Sequence, residues 1–263
     1  MATIALENRS TWRGEQRFFV ASAIIMTLLV FAGFSFQLAM GRSSFRVPIF
    51  LHIHAFFFFG WTLLYLVQTL LAGSDRLALH RRLGWIALVW IPAMLVMGTY
   101  VTIVSVRTLH VPFFFQPAYF TVMNPLSLYV SAALAAAAIA MRRRTLWHRR
   151  LMFCSMSILL APAIGRLIPS PLLIPFTGEA VFGLALLFPL AGMIHDARAH
   201  GRIHPAWRWG VGAMLAMVVA ANAISFSPLG PALYRAVTAG SPGAAQPPLA
   251  FPPPPWARPA PRL

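Results

Sequence analysis

Seven apolar runs, each about as long as a bilayer is thick, constrain this chain more than any other feature of its sequence. They fall at residues 18–40, 48–72, 83–106, 118–141, 150–169, 179–195 and 206–227, and a helix needs roughly 20 apolar residues to cross a hydrocarbon core. Backbone N–H and C=O groups inside lipid must bond within their own segment, so the runs predict helices. The expected fold is an all-α, polytopic membrane helix bundle of about seven transmembrane helices. The sixth run is short and holds Glu179 and Pro189; if it does not span, the number falls to six. The first run exceeds the roughly 7–15-residue apolar region of a cleavable signal peptide, and no small-x-small site follows it, so it reads as the first membrane helix.

Composition agrees with that reading. Of 263 residues, 59% are hydrophobic and 10% charged, against about 25% charged in an ordinary soluble domain. A formal charge of +16 would point to nucleic acid in a soluble protein. Here the arginines collect in the short gaps between apolar runs, where they set topology, and no nucleic-acid partner is expected. Residues 1–17 read as a polar cytoplasmic lead-in carrying Arg9, Arg13 and Arg17. With the N-terminus inside, the cytoplasmic side holds twice as many arginines as the other, most plainly in "MRRRTLWHRR" at 141–150. The positive-inside rule then places the N-terminus in the cytoplasm and the C-terminus outside a bacterial inner membrane, with the arginines facing anionic phospholipid. Residues 228–263, which end in "SPGAAQPPLAFPPPPWARPAPRL", are expected to form a Pro-rich, unfolded tail. The single cysteine, Cys154, excludes an intramolecular disulfide and reads as a small buried apolar residue.

One motif occurs twice. "ALHRRLGWIAL" at 78–88 and "LWHRRLMFCSM" at 146–156 each set a histidine and two arginines directly before a long apolar segment, the third and the fifth. Arginine at a helix N-terminus opposes the helix dipole by about 0.3–1 kcal/mol. The anionic inner leaflet offsets this by about 1 kcal/mol for each basic residue near its surface, so topology and lipid contact account for the arginines without an active site. The histidines admit a sharper reading. If His80 and His148 begin neighbouring helices at one depth, they would face each other across the bundle and hold the iron of a b-type haem between their rings. Arg81, Arg82, Arg149 and Arg150 would then neutralise the propionates. Two interfacial histidines bonded to lipid phosphate or loop carbonyls remain the alternative.

A second polar group lies near the opposite face. His52 and His54 stand two residues apart in "PIFLHIHAFFFFGWTLLYLVQ", and on a helix they point about 200° from each other. His54, the deeper, is expected to face the bundle, with His52 or the loop residue His110 as the available second ligands on that side. Asn124, Arg166 and Glu179 belong to the same layer. Ionisable groups within a membrane are expensive and are functional candidates by default, although Arg166 and Glu179 fit a structural ion pair equally well. No Walker loop, HExxH, GxSxG or CxxC motif occurs. With 5 acidic residues in the chain, no paired-carboxylate site or relay of intramembrane carboxylates is expected, which argues against a coupled ion transporter.

These motifs, taken as a set, resemble an uncharacterised multi-pass bacterial membrane-protein family with an HxH…FxxW helix, LHRRLG, H(R/K)RLM, PAIxR and RxHPA. In this sequence they are His52, His54 and Trp61; "LHRRLG" at 79–84; "HRRLM" at 148–152; "PAIGR" at 162–166; and "RIHPA" at 202–206. The resemblance spans about residues 17–230 and implies a fold without an activity. Histidine placement alone gives a more distant analogy to transmembrane b-type cytochromes and haem-modifying membrane enzymes. Three roles follow as expectations, and whether the protein is an enzyme stays open among them. The first is electron transfer through a b-type haem. The second is a non-enzymatic membrane protein that binds a lipid, a small hydrophobic molecule or a protein partner. The third is a small-solute transporter in which His54, Asn124 and Arg166 line an outward cavity.

Overall fold

The computed structural model describes residues 2–74, 76–254 and 257, with side chains from Gly14 onward. The side chains of Arg9 and Arg13, and all of Arg258 and Arg262, lie outside the described residues. The described residues form ten α-helices and no strand: α1 (Ala2–Ala39), α2 (Ile49–Ala72), α3 (Leu77–Gly84), α4 (Ala87–Arg107), α5 (Pro117–Ala140), α6 (Thr145–Ile158), α7 (Ala161–Leu167), α8 (Thr177–His200), α9 (Pro205–Ser225) and α10 (Leu229–Thr238). Six of them, α1 from Gly14 onward with α2, α4, α5, α8 and α9, are long and apolar enough to cross a membrane. The pair α6 and α7, bent by 43° at its break, passes the same test when taken together, and makes a seventh span if the two are one. The chain is an all-α, multi-pass integral membrane protein.

The short sixth run belongs to the 24-residue helix α8, which carries Pro189 inside it; it is the fifth run that breaks. Pro162 has no N–H, and its ring collides with the carbonyl four residues back, that of Ile158. The chain turns through Leu159 and Leu160, where bonds tighten to three-residue spacing: Leu160 N donates to Ser157 O at 3.2 Å and Ala163 N to Leu160 O at 3.0 Å. A similar tightening separates α3 from α4, with Ile86 N donating to Leu83 O at 3.0 Å and Leu88 N to Trp85 O at 3.1 Å. The first HRRL segment therefore sits on a short helix of its own, before the third span and not at its start.

Two boundaries differ from the sequence reading. The lead-in at residues 1–17 is no separate segment, because α1 runs unbroken from Ala2 to Ala39. The expected unfolded tail folds as far as residue 254. Within it α10 buries Tyr234, whose hydroxyl donates to Gly243 O at 2.8 Å, and a 3-10 turn spans Pro242–Ala245. Prolines bar the rest from a helix, but its carbonyls remain acceptors. Ala118 N, one of the donors left over at the start of α5, bonds Pro248 O at 2.8 Å, and the Gln116 side chain bonds Leu249 O at 3.0 Å. Arg107 ties the end of α4 to Val237 O at 2.7 Å.

The core lies where α5, α6 and α9 meet, with Phe153, Cys154, Trp207 and Met214 buried. The short helix α7 packs closely on α1 at Gly33, where a Cβ would stand 2.6 Å from the Ala163 carbonyl oxygen.

Candidate functional site at the arginine-rich end

The helix ends nearest α3 and the start of α6 hold both HRRL segments, and the fold brings their histidines together. The His80 and His148 ring centroids lie 6.1 Å apart with planes at 83°. Each Nδ1 faces a backbone carbonyl: His80 that of Gln68 at 3.1 Å, and His148 that of Ala138 at 2.8 Å. A carbonyl only accepts, so each neutral ring carries its proton on Nδ1 and keeps the Nε2 lone pair. Metal-binding imidazoles are held in this way. The two Nε2 atoms, with their free lone pairs, are those through which the pair would hold a metal. Gln68 adds a buried side-chain oxygen without a hydrogen-bond partner. Its amide nitrogen lies 3.4 Å from where a Cβ on Gly84 would stand, one turn along α3 from His80.

The donor set narrows the kind of metal. Among the described residues no group of three or more His, Cys, Asp or Glu gathers as a metal site. Zinc takes three or four protein ligands, whereas a haem iron draws its equatorial donors from the porphyrin and needs only two axial ones. His80 and His148, with protonated Nδ1 atoms and neighbouring rings, would supply two such ligands.

The arginines behave differently from one another. Arg81 and Arg82 are exposed on α3, a helix with no buried residue. Arg150 is 2% exposed and lies against Asp196 of α8 through two bonds, Nε to Oδ2 at 2.9 Å and Nη2 to Oδ1 at 2.6 Å. The same Nη2 reaches Glu15 Oε1 of α1 at 2.7 Å, and Nη1 donates to Leu146 O at 3.2 Å. Arg149 pairs with Glu15 as well and stacks over Phe19 at 5.0 Å. Two cations and two carboxylates thus close a charge-balanced group spanning α1, α6 and α8. Arg149 and Arg150, expected beside the propionates of a haem, lie against carboxylates of the chain itself. A buried guanidinium needs its counter-charge within bonding distance, and the two acids supply it.

Asp196 organises the neighbouring turn too. Its Oδ2 accepts from Trp207 Nε1 at 3.0 Å and from the His204 backbone N at 3.2 Å. Trp207 fits because residue 192 is glycine; a Cβ there would run into the indole. His204 caps α9 through Nδ1, which accepts from Ala206 N at 3.1 Å. Burial first, and then the Arg150 charge, hold the His204 pKa below the usual histidine value. The neutral ring is the form that can accept at Nδ1, so cap and charge state agree. Sequence reasoning missed Glu15 and Asp196 and expected no paired carboxylates. A signal was available: in a chain with 5 acidic residues, each of these two lies beside an apolar run at the arginine-rich end.

The four candidates of the opposite end are not gathered into one cluster of direct bonds. His54 stacks on Phe58 at 4.2 Å, and its Nδ1 is buried without a hydrogen-bond partner. His52 and His110 are exposed. Arg166 lies over the Phe34 ring at 4.2 Å and donates to Pro162 O at 2.7 Å. None of the ion pairs among the described residues joins Arg166 to Glu179. The Tyr119 hydroxyl, buried and without a hydrogen-bond partner, packs against Gly178, the residue before Glu179. Asn124 is half-buried on α5. Compared with known proteins, the chain matches no family model, no curated protein and no solved structure.

Proposed function

We propose that this integral membrane protein would hold one b-type haem through His80 and His148 and serve electron transfer. The observation that carries the reading is the meeting of the two rings, 6.1 Å between centroids, with each Nδ1 on a carbonyl. The haem, when bound, supplies a one-electron couple. The Gln68 and Ala138 carbonyls orient the imidazoles and keep their protons on Nδ1. Arg81 and Arg82 are the exposed cations of this end and would face propionates or the anionic leaflet. The greater number of arginines at this end supports a cytoplasmic position for it, in the inner membrane of a bacterial cell.

The test is a reduced-minus-oxidised visible spectrum of detergent-purified protein from haem-replete cells. Sharp b-type bands are expected, and they should vanish in His80→Ala and in His148→Ala while each variant stays monodisperse. A folded but colourless wild-type protein would overturn the proposal. One observation favours a second reading: Arg81 and Arg82 are exposed and make none of the ion pairs of the described residues. In it the protein is a non-enzymatic binder of anionic phospholipid, of a small hydrophobic molecule or of a protein partner, and α3 rests on the leaflet.

A further inference from the structure

We infer that a cavity at the opposite end of the bundle, roofed by the proline-rich segment, takes the apolar part of an uncharged amphiphile with a hydroxyl or carbonyl head. The inference does not depend on the haem, which concerns the other end and different residues.

The cavity has a volume of about 220 Å³ and lies between the end of α4, the start of α5, α10 and the segment that follows the 3-10 turn. Val106, Val111 and Tyr234, all buried, form its inner wall, and Leu109, 40% exposed, stands at its mouth. Gln246 and Pro252 belong to the roof. Three bonds hold that roof in place: the Tyr234 hydroxyl to Gly243 O at 2.8 Å, Ala118 N to Pro248 O at 2.8 Å and the Gln116 side chain to Leu249 O at 3.0 Å. Its prolines leave it little freedom to lose when something binds beneath it. Val106, Val111, Ala118 and Tyr234 also form an apolar cluster of their own, apart from the main core, so the space belongs to this end alone and is built before a ligand arrives.

Leu109 supplies a second sign. His110 N donates to Ser105 O at 2.8 Å and closes α4 with a turn in which the residue before it takes a left-handed backbone. Glycine is usual there, yet the residue is leucine, at φ 60°. Strain of this kind persists where its surroundings hold the residue in place, and ligand clamps are among such places; here the strained residue lines the cavity. The wall then selects the ligand. No charged side chain lines the cavity, so a carboxylate or ammonium entering it would lose its hydration without a partner. At about 30 Å³ for each water-sized group, the space holds roughly seven methylenes. Gln246, half-buried, is the polar exception, since the Tyr234 hydroxyl is already taken by Gly243. Its amide can donate to a carbonyl or accept from a hydroxyl, and so orients the head of an amphiphile.

The full chain in nanodiscs of phosphatidylcholine provides the test, with a diazirine-bearing octanol as photoprobe and the labelled residues read by mass spectrometry. Labelling should saturate and fall within residues 106–111 and 246–253. Straight-chain alcohols should compete, the half-competing concentration dropping about fourfold for each added methylene and levelling off near the roughly seven that fill the cavity. Octanoate should compete about tenfold more weakly than octanol. Val111→Phe fills the space and should abolish labelling of these residues, and Gln246→Leu should weaken octanol about fivefold. Labelling that rises with probe without saturating, octanoate competing as well as octanol, or a Val111→Phe protein that labels as wild type does would each overturn the proposal. Should Val111→Phe fail to fold, wild-type saturation and Gln246→Leu decide, and a Gln246→Leu protein that binds octanol as wild type does overturns it as well.

Discussion

The two HRRL segments begin with the same four residues and end in opposite environments. On α3 the arginines are solvated, and His80 is the residue that turns to the bundle. On α6 the same arginines are enclosed, one at 2% exposure between Asp196 and Glu15. The divergence follows from the next residue. Gly84 ends α3 after eight residues, and glycine costs about 1 kcal/mol in a helix interior. At the equivalent place Met152 lets α6 continue to Ile158 into the centre of the bundle. A repeated motif therefore has one shared element, the histidine pair, while its basic residues serve different ends.

The sharpest way to break this comparison is to neutralise the second arginine in each copy. Arg150→Met leaves two buried carboxylates with one remaining cation and should cost about 3–5 kcal/mol. Arg82→Met should stay within about 0.5 kcal/mol. Unfolding of purified protein and monodisperse yield would measure both, and equal losses would mean that the two copies are equivalent after all. Adding Asp196→Leu to Arg150→Met should return part of the loss, since Arg149 and Glu15 still balance each other.

Gly192→Ala asks whether the second copy depends on its surroundings. The added methyl meets the Trp207 indole, which holds Asp196 in place, and overpacking of this kind costs about 1–3 kcal/mol. A neutral effect would show that Trp207 moves freely and that Asp196 needs only Arg150.

A smaller effect is expected with pH. The His204 pKa is lowered in the folded protein, so its contribution is complete above the unfolded value of about 6.5 and is lost as pH falls toward the folded one. The thermal midpoint should drop on acidification, because protonating Nδ1 removes the α9 cap. His204→Asn keeps a capping acceptor that does not titrate, and its midpoint should fall less than that of wild type over the same range. Parallel curves would remove His204 from the account. Smallest of all, Arg81→Ala with Arg82→Ala should leave the midpoint nearly unchanged and show itself as weaker association with anionic lipid.

Much of the fold was legible in the sequence because it rests on local properties. The length and hydropathy of each run predicted the spans, and Pro162 explains the bend within α6–α7 from its own chemistry. The tail was misread, since proline content reports what a segment cannot form by itself and says nothing of the donors at Gln116 and Ala118 that hold it. Of the site, the histidine pair could be anticipated, because two like motifs ahead of two spans of the same direction must lie at one end. Glu15 could be noticed beside its apolar run but not paired, for the arginines it meets, Arg149 and Arg150, stand far along the chain, the second of them 135 residues away.

By itself the sequence determined that the chain is a multi-pass helical membrane protein, since lipid leaves the backbone no bonding partner outside its own segment. Only the tertiary structure decided which charges meet. Helix packing brings Glu15, Arg149, Arg150 and Asp196 to one point and leaves Arg81, Arg82 and Arg166 outside the ion pairs of the described residues. Pairing of that kind depends on the rotation and depth of whole helices, which no single segment encodes.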